Sequence, residues 1–464
     1  MSRTAAASSW TPAVKEVGKP VYRAIADAIE SDISTGILVP GARLPTQRAL
    51  ADRLGIDFTT VTRAYSEARR RGLLEGLVGQ GTYVRRAVVP VPRSPGGVAD
   101  TSMNLPPRFD DVGLVARMWK GISALQAEGG IDLLLRYQEP GGTRIDREAG
   151  SNWLGSRLSG LAPERTLVCP GAQNALLVIA GILAAPGDAI CVEELTYPGF
   201  RAVAAQLNIR LVGIRMDEEG AVPAQFEKIC SKYNPKAFYC TPTLHNPTTI
   251  TMPVSRRKAL IAVARRFQVP IIEDDAYGAL PQRPLVPMAR LAPELVYCVS
   301  SLSKCLAPAL RVAYLSVPIG QDVTRVTAAI RATAATASPL MAAIATRWIN
   351  EGTADAVLAA VRKETALRQA IVARTLPSEN LTRNADGFHV WLRLPSPWTR
   401  GAFDERMRSS GIGLVGSDAF ALQDPPEAVR LGLGVPRTRS ELTNDLQTIA
   451  SILGQAPVSS SIVV

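Results

Sequence analysis

The chain has 464 residues, 47% hydrophobic and 20% charged, with 36 Gly and 34 Pro. That balance is globular, so it excludes a collagen-like, disulfide-scaffolded or largely disordered chain. The length suggests roughly two to four domains, or a small module beside one large α/β domain. Net charge is +11, which gains meaning only where a motif carries it.

Six Cys (Cys169, Cys191, Cys230, Cys240, Cys298, Cys305) stand singly, and His245 and His389 are isolated. This inventory predicts buried thiols in a reducing compartment, structural histidines and no metal centre. Met1 to Trp10 lacks the apolar core of a signal peptide, and the longest apolar run, Ala175–Pro186, is shorter than the roughly 20 residues needed to span a bilayer. A cytoplasmic location without membrane segments is expected.

From Lys19 to Arg86 the chain carries 11 Lys/Arg against 7 Asp/Glu, a surplus of four. Ile25, Ile29 and Ile33 recur at helical spacing and predict a helix over Val21–Ile37, stopping near Gly36. Thr46 is a candidate N-cap for a helix over Gln47–Leu54, which Gly55 closes; a second helix runs from near Thr59 to Arg71. Two short helices around a Gly-containing turn form a helix-turn-helix signature, and Gly72–Val84 reads as a β-wing. Thr59, Thr60, Thr62 and Arg63 sit at the end from which a recognition helix reaches base edges and phosphates, while Val61, Ala64, Tyr65 and Ala68 face inward. Gly81 at the wing tip admits backbone close to the minor groove. Arg69, Arg70 and Arg71 fit a solvated helix end.

Through Pro40-Gly-Ala-Arg-Leu-Pro-Thr-Gln-Arg-Ala-Leu-Ala, the stretch Pro20–Val84 resembles the winged helix-turn-helix domain of the GntR family. The resemblance implies a double-stranded DNA operator contacted by Arg48, Thr59, Thr60, Thr62, Gln80 and Gly81; Arg63 is added from its place on the helix. The expected boundaries are a DNA-binding domain at 19–84, a Pro/Gly-rich linker at 85–100 and a large domain at 101–464.

In the large domain, apolar segments at Leu167–Cys169, Ala189–Glu193, Ala237–Thr241, Pro270–Ile272, Val296–Ser300 and Val312–Val317 alternate with helices such as Asn174–Ala184 and Ser255–Phe267. Alternation of this kind predicts a mostly parallel sheet covered by helices. Of nine Lys, Lys304 alone follows an apolar strand amid hydroxyls, with Arg311 seven residues on. Desolvation and that cation favour the neutral, nucleophilic amine, and Ser301, Ser303 and Arg311 could hold a phosphate. Pro170-Gly-Ala-Gln-Asn-Ala opens a helix after a strand, an anion site. Tyr197 could stack on a planar ring, Asn246 could donate to a ring hydroxyl, and Asp274 at a strand end could keep a pyridinium nitrogen protonated.

In this order and spacing, Thr101–Leu453 resembles the fold-type I, class I aminotransferases. The resemblance implies pyridoxal 5'-phosphate joined to Lys304 and Asp274 on its ring nitrogen, with Tyr277 and Asn246 on the phenolic oxygen and Tyr197 stacked. It implies Gly171, Ala172, Gln173, Ser301 and Arg311 on the phosphate, Arg430 on a substrate carboxylate, and Tyr137 near the entrance. Thr249 stands where the family carries Gly, which predicts an altered turn, because a β-branched residue resists positive φ. The combination resembles the MocR subfamily of GntR regulators. It implies a homodimeric transcription factor, with effector sensing through an external aldimine formed by pyridoxal phosphate and an amine or amino acid. The alternatives are a working aminotransferase with a fused DNA-binding head and a scaffold with a dead pocket.

Overall fold

The computed structural model describes residues 10–13, 20–39, 41–71, 73–77, 81–84, 103–127 and 131–455. Gln80 and the expected linker lie outside the described residues. The chain divides into two compact units, Met1–Gly96 and Gly97–Val464.

The first unit holds helices α1 (Val21–Ser34), α2 (Gln47–Leu54) and α3 (Phe58–Arg70) and an antiparallel pair of strands, β1 (Leu74–Leu77) and β2 (Gly81–Val84). The Thr46 side chain accepts from the Ala49 amide at 3.2 Å and starts α2, and Gly55 at φ +63° ends it, because only glycine takes that conformation without steric cost. Asp57 accepts from the Thr59 amide at 2.7 Å, so α3 starts at Phe58, one residue before the expected position. Helix α1 stops at Ser34 rather than Ile37. Ile25, Ile29, Leu50, Val61, Ala64, Tyr65, Ala68, Leu74 and Val84 close one core between helices and wing. The reading of Arg71 as solvated needs correction: it ties α3 to α1 through Asp27 at 2.7 Å and Glu30 at 3.0 Å, and also bonds Glu67 at 2.9 Å.

The second unit is built on a seven-stranded sheet. Its strands are β3 (Thr166–Cys169), β4 (Ala189–Glu193), β5 (Arg210–Ile214), β6 (Ala237–Cys240), β7 (Ile271–Asp274), β8 (Val296–Ser301) and β9 (Ala313–Ser316), in the order β3-β9-β8-β7-β6-β4-β5. β9 alone runs antiparallel, pairing with β3 and β8, while the other pairs are parallel. Strands buried on both faces need apolar residues at odd and even positions, which is why they read as continuous apolar runs. Val168, Cys191, Phe238 and Cys298 join one core layer; Leu167, Ile190, Tyr239 and Val299 join the other. All six cysteines are buried and unpaired.

A smaller four-stranded antiparallel sheet follows, from β10 (Leu381–Arg383), β11 (His389–Arg393), β12 (Val415–Gly416) and β13 (Ala428–Gly432), in the order β10-β11-β13-β12. Parallel strands all deliver their carboxyl ends to one edge of a sheet, and ligands bind outside that edge in α/β folds. Gly171, Tyr197, Asn246 and Lys304 follow β3, β4, β6 and β8 in turn, and Asp274 is the last residue of β7.

Candidate cofactor pocket and DNA-reading face

Asp274 ends β7 and is buried, its carboxylate accepting from the Tyr239 hydroxyl at 2.8 Å and the Ala276 amide at 3.2 Å. Burial pushes its pKa up to about 6, against the pull of Tyr239 and Lys304. Lys304 follows β8. Burial, then the charge of Arg430, lowers its amine to about 8, with Asp274 acting in the opposite sense. Its Nζ donates to the Asn104 carbonyl at 2.5 Å.

The carboxylate next along the chain is held for a different purpose. Asp275 pairs with buried Arg157 at 2.6 Å, and the same guanidinium donates to Ser300 at 3.1 Å. A buried ion pair of this kind fixes the ends of β7 and β8 against each other, and so the spacing of Asp274 and Lys304.

The anion cradle is also assembled. Gly171 caps the helix Ala172–Leu183 at φ +83°, and a Cβ there would stand 3.0 Å from the Arg311 guanidinium. Gln173 donates to the Gly199 carbonyl at 2.7 Å, holding that helix to the loop of Tyr197. Ser301 Oγ accepts from the Ser303 amide at 3.2 Å, while the buried Ser303 hydroxyl has no partner. A helix N-terminus, a guanidinium and an unpaired buried hydroxyl fit a phosphate monoester. The residues of this cradle therefore suit the phosphate of a phosphorylated cofactor.

Tyr197 is half-buried, with its pKa raised by burial and then by Asp274. Tyr277 is buried and accepts from Asn104 Nδ2 at 3.0 Å. Asn246 precedes a cis proline, and its Oδ1 accepts from Arg430 at 3.0 Å. The Arg430 guanidinium lies 5.3 Å from the Phe420 ring centroid. Tyr137 is not brought to this pocket; it is 98% exposed.

The expected alteration of the turn after Asn246 is not what is found. Thr249 takes φ +65°, the conformation a glycine would supply. Its amide donates to the His245 carbonyl at 2.7 Å, and the His245 amide donates to Ile250 at 2.8 Å. Two backbone bonds hold a conformation that costs roughly 1–2 kcal/mol in a residue with a Cβ. His245 itself lies with Nδ1 2.8 Å from the Thr248 hydroxyl and Nε2 3.2 Å from Glu193.

Sequence reasoning missed Asn104, Tyr239, Arg157 and Asp275. The acidic pair Asp274-Asp275 was the visible signal for the last; the others carry no local motif.

On the first unit, Arg43, Thr46, Gln47, Arg48, Phe58, Gly81 and Thr82 line a cleft of about 450 Å³ between the starts of α2 and α3 and the wing. Arg48 and Thr59 are exposed, and Thr60 is half-buried. Thr62 is engaged within the fold, its hydroxyl lying 3.0 Å from both Gln47 Oε1 and the Phe58 carbonyl oxygen, with one proton to give to either. The Arg63 guanidinium lies 4.8 Å from the Tyr22 ring centroid. Gly81 takes φ +118° with Arg43 beside it. Arg43 and Phe58 join this face without having been expected there.

Residues 122–444 match the family described as aminotransferase class I and II, and residues 21–84 match the bacterial regulatory proteins of the gntR family. Over 452 residues the chain is 30% identical to the uncharacterized HTH-type transcriptional regulator YdeF of Bacillus subtilis, covering 96% of this chain and 97% of that one. The chain belongs to the MocR-type regulators. It is a transcriptional regulator with a GntR-type DNA-binding head and an aminotransferase-like domain. Another MocR-type relative, the pyridoxine biosynthesis transcriptional regulator PdxR of Corynebacterium glutamicum, is 28% identical over 317 residues, 66% of this chain and 68% of that protein. Among solved structures, LysN, the α-aminoadipate aminotransferase of Thermus thermophilus complexed with N-(5'-phosphopyridoxyl)-L-leucine, superposes with a TM-score of 0.68 at 23% identity. It covers 76% of this chain and 90% of that one, a likeness of fold. Among the described residues no helix is long and apolar enough to cross a membrane.

Proposed function

We propose that this MocR-type regulator binds its operator with an affinity set by pyridoxal phosphate, or by a small amine or amino acid that meets the cofactor in the pocket. The observation that carries the reading is the half-buried amine of Lys304, its pKa lowered to about 8 by burial of the ammonium and the charge of Arg430, with Asp274 opposing them. Lys304 would hold the cofactor, Asp274 would bond its ring nitrogen, and Tyr277 and Asn246 would take its phenolic oxygen. Gly171, Ala172, Gln173, Ser301, Ser303 and Arg311 would hold the phosphate, and Arg430 a carboxylate of the effector. When bound, the cofactor supplies an aldehyde and an electron-withdrawing ring. The chain's own residues orient it, exclude water and hold protons at Tyr277 Oη and Lys304 Nζ.

On the head, Arg48, Thr59, Thr60, Thr62, Arg63, Gln80 and Gly81 would contact the operator. A cytoplasmic homodimer fits the two heads that paired half-sites require. It also fits the exposed apolar side chains of Val112 and Trp119, seven residues apart on one helix, and of Leu134 and Leu135 on the next, since large apolar residues left exposed in number suit an association surface. Tyr137, 98% exposed, would serve a pocket entrance only as part of such an assembly.

Borohydride reduction of the full chain with pyridoxal phosphate, followed by peptide mapping, tests the reading: a pyridoxyl adduct on Lys304, absent from Lys304→Ala, supports it, and no adduct refutes it. The intact Arg430 and Asp274 favour a second reading, a working aminotransferase with a fused head. Amino-group exchange at ordinary enzyme rates, with operator binding indifferent to ligand, would select it.

A further inference from the structure

Beside the long helix Thr353–Thr375 lies a cavity of about 320 Å³, at the small end of the roughly 300–1,000 Å³ usual for ligand sites. Asp274, Tyr277, Lys304 and Arg430 are not among its walls. Trp153, on the helix Arg144–Gly155, and Arg157, one turn further on, both line it and both are buried. Trp153 Nε1 and Arg157 Nε have no hydrogen-bond partner among the described residues. Each is a donor that cannot accept. A buried donor left unpaired is costly, and folded interiors supply an acceptor for nearly all of them.

The third donor of the cavity is Arg362. Its Nε donates to the Leu280 carbonyl at 2.9 Å, and its Nη2 donates to those of Ala279 and Pro281 at 2.6 and 3.1 Å. All three acceptors are carbonyls, so among the described residues no carboxylate pairs with this guanidinium, and Nη1 remains to be engaged. Ile349, Ala354 and Leu358 supply an apolar wall. Asp355 is the one carboxylate in the lining, and it is exposed, where solvent and salt screen its charge. Water could meet the donors but gains nothing from the apolar wall.

We propose that this cavity is a second ligand site, built for a monocarboxylate with a compact apolar body. A carboxylate only accepts and has two oxygens to offer. It can take the N–H groups of Trp153 and Arg157 together, and its charge answers the guanidinium of Arg362. The body of the ligand then packs on Ile349, Ala354 and Leu358. One unpaired cation with Asp355 at the rim suits a single negative charge better than the two of a phosphate monoester. The site owes nothing to the reading of Lys304, but it touches the same framework. Arg157 Nη2 holds Asp275 and Ser300, so an occupant shares the guanidinium that spaces the ends of β7 and β8.

Calorimetric titration of the full chain with sodium benzoate tests the site, with benzamide as the uncharged counterpart and no pyridoxal phosphate added. Benzoate should show one saturable binding event that survives Arg430→Gln, a change in the cofactor pocket. Trp153→Phe keeps the ring and removes the N–H, so it should weaken that event by about 10-fold or more. Asp355→Asn removes the rim charge and should tighten it by roughly 2-fold. Benzamide should bind about 10-fold or more weakly than benzoate. If Trp153→Phe fails to melt cooperatively, the exposed position in Asp355→Asn carries the test. If Arg430→Gln fails to do so, Trp153→Phe and Asp355→Asn decide between the two cavities on the wild-type background. No benzoate binding, which would leave the cavity to water, overturns the proposal. Equal binding of benzamide overturns it too, as does a benzoate event lost in Arg430→Gln and unmoved by the other two variants.

Discussion

The reactivity of Lys304 should depend on pH in a way an ordinary lysine cannot imitate. Its amine is lowered from 10.5 to about 8. At pH 7.5 roughly a quarter of the molecules then carry the neutral amine, against roughly one in a thousand for an unperturbed lysine, a gain on the order of 200-fold in nucleophile. Uptake of pyridoxal phosphate, followed by absorbance, should rise with pH and reach its midpoint near 8. Two variants should displace that midpoint in opposite directions. Arg430→Gln removes a cation that disfavours the ammonium, so the midpoint climbs; because burial is the larger cause, the climb is roughly one unit or less. A climb of one unit cuts the neutral fraction at pH 7.5 to roughly one in thirty. Asp274→Asn removes the attraction that favours the ammonium, so the midpoint falls. A wild-type midpoint near 10.5, or displacement of both variants in the same direction, would refute the electrostatic reasoning.

Three further outcomes are expected. Arg157→Met strands the Asp275 carboxylate in the core and should cost about 3–5 kcal/mol in urea unfolding; a loss under 1 kcal/mol, on the scale of roughly an exposed pair, would show that the pair is not buried in solution. His389 has its folded pKa lowered to about 3 from 6.5, so below pH 6.5 the unfolded chain binds a proton that the folded chain does not. Stability should therefore fall as pH drops from 6.5 towards 3, and His389→Gln should show a shallower fall in parallel melts. Arg48→Ala, if Arg48 meets a phosphate, should reduce the slope of log affinity against log salt by about one across all duplexes; an unchanged slope removes it from the interface.

How much of this could be read in advance follows from the range of each interaction. The strands of the large sheet were legible because burial on both faces forces unbroken apolar runs, as in Ala189–Glu193, recovered residue for residue. Helix α2 was legible because its start and stop signals, Thr46 and Gly55, lie within the helix's own neighbourhood. The apolar segment of β7 was placed one residue early and stopped at Ile272, because the charge of Glu273 breaks the apolar run until its buried partners are known: Glu273 accepts from the Met288 and Ala289 amides at 2.9 and 2.8 Å. Lys304 and Asp274 were found from their place at strand ends among hydroxyls and carboxylates. Thr249 misled because the local rule, that branched residues avoid positive φ, is outweighed there by two backbone bonds. Asn104 was invisible for a different reason: its partners lie 173 and 285 residues away along the chain, and Asn-Leu-Pro-Pro has no periodicity to announce a buried strap. The residue that touches Lys304, Tyr277 and His389 together is thus the one local pattern could least supply. Gly434 marks its path, since a Cβ there would stand 1.8 Å from the Leu105 carbonyl oxygen, and an ordinary φ with no space for a Cβ requires another backbone at that point.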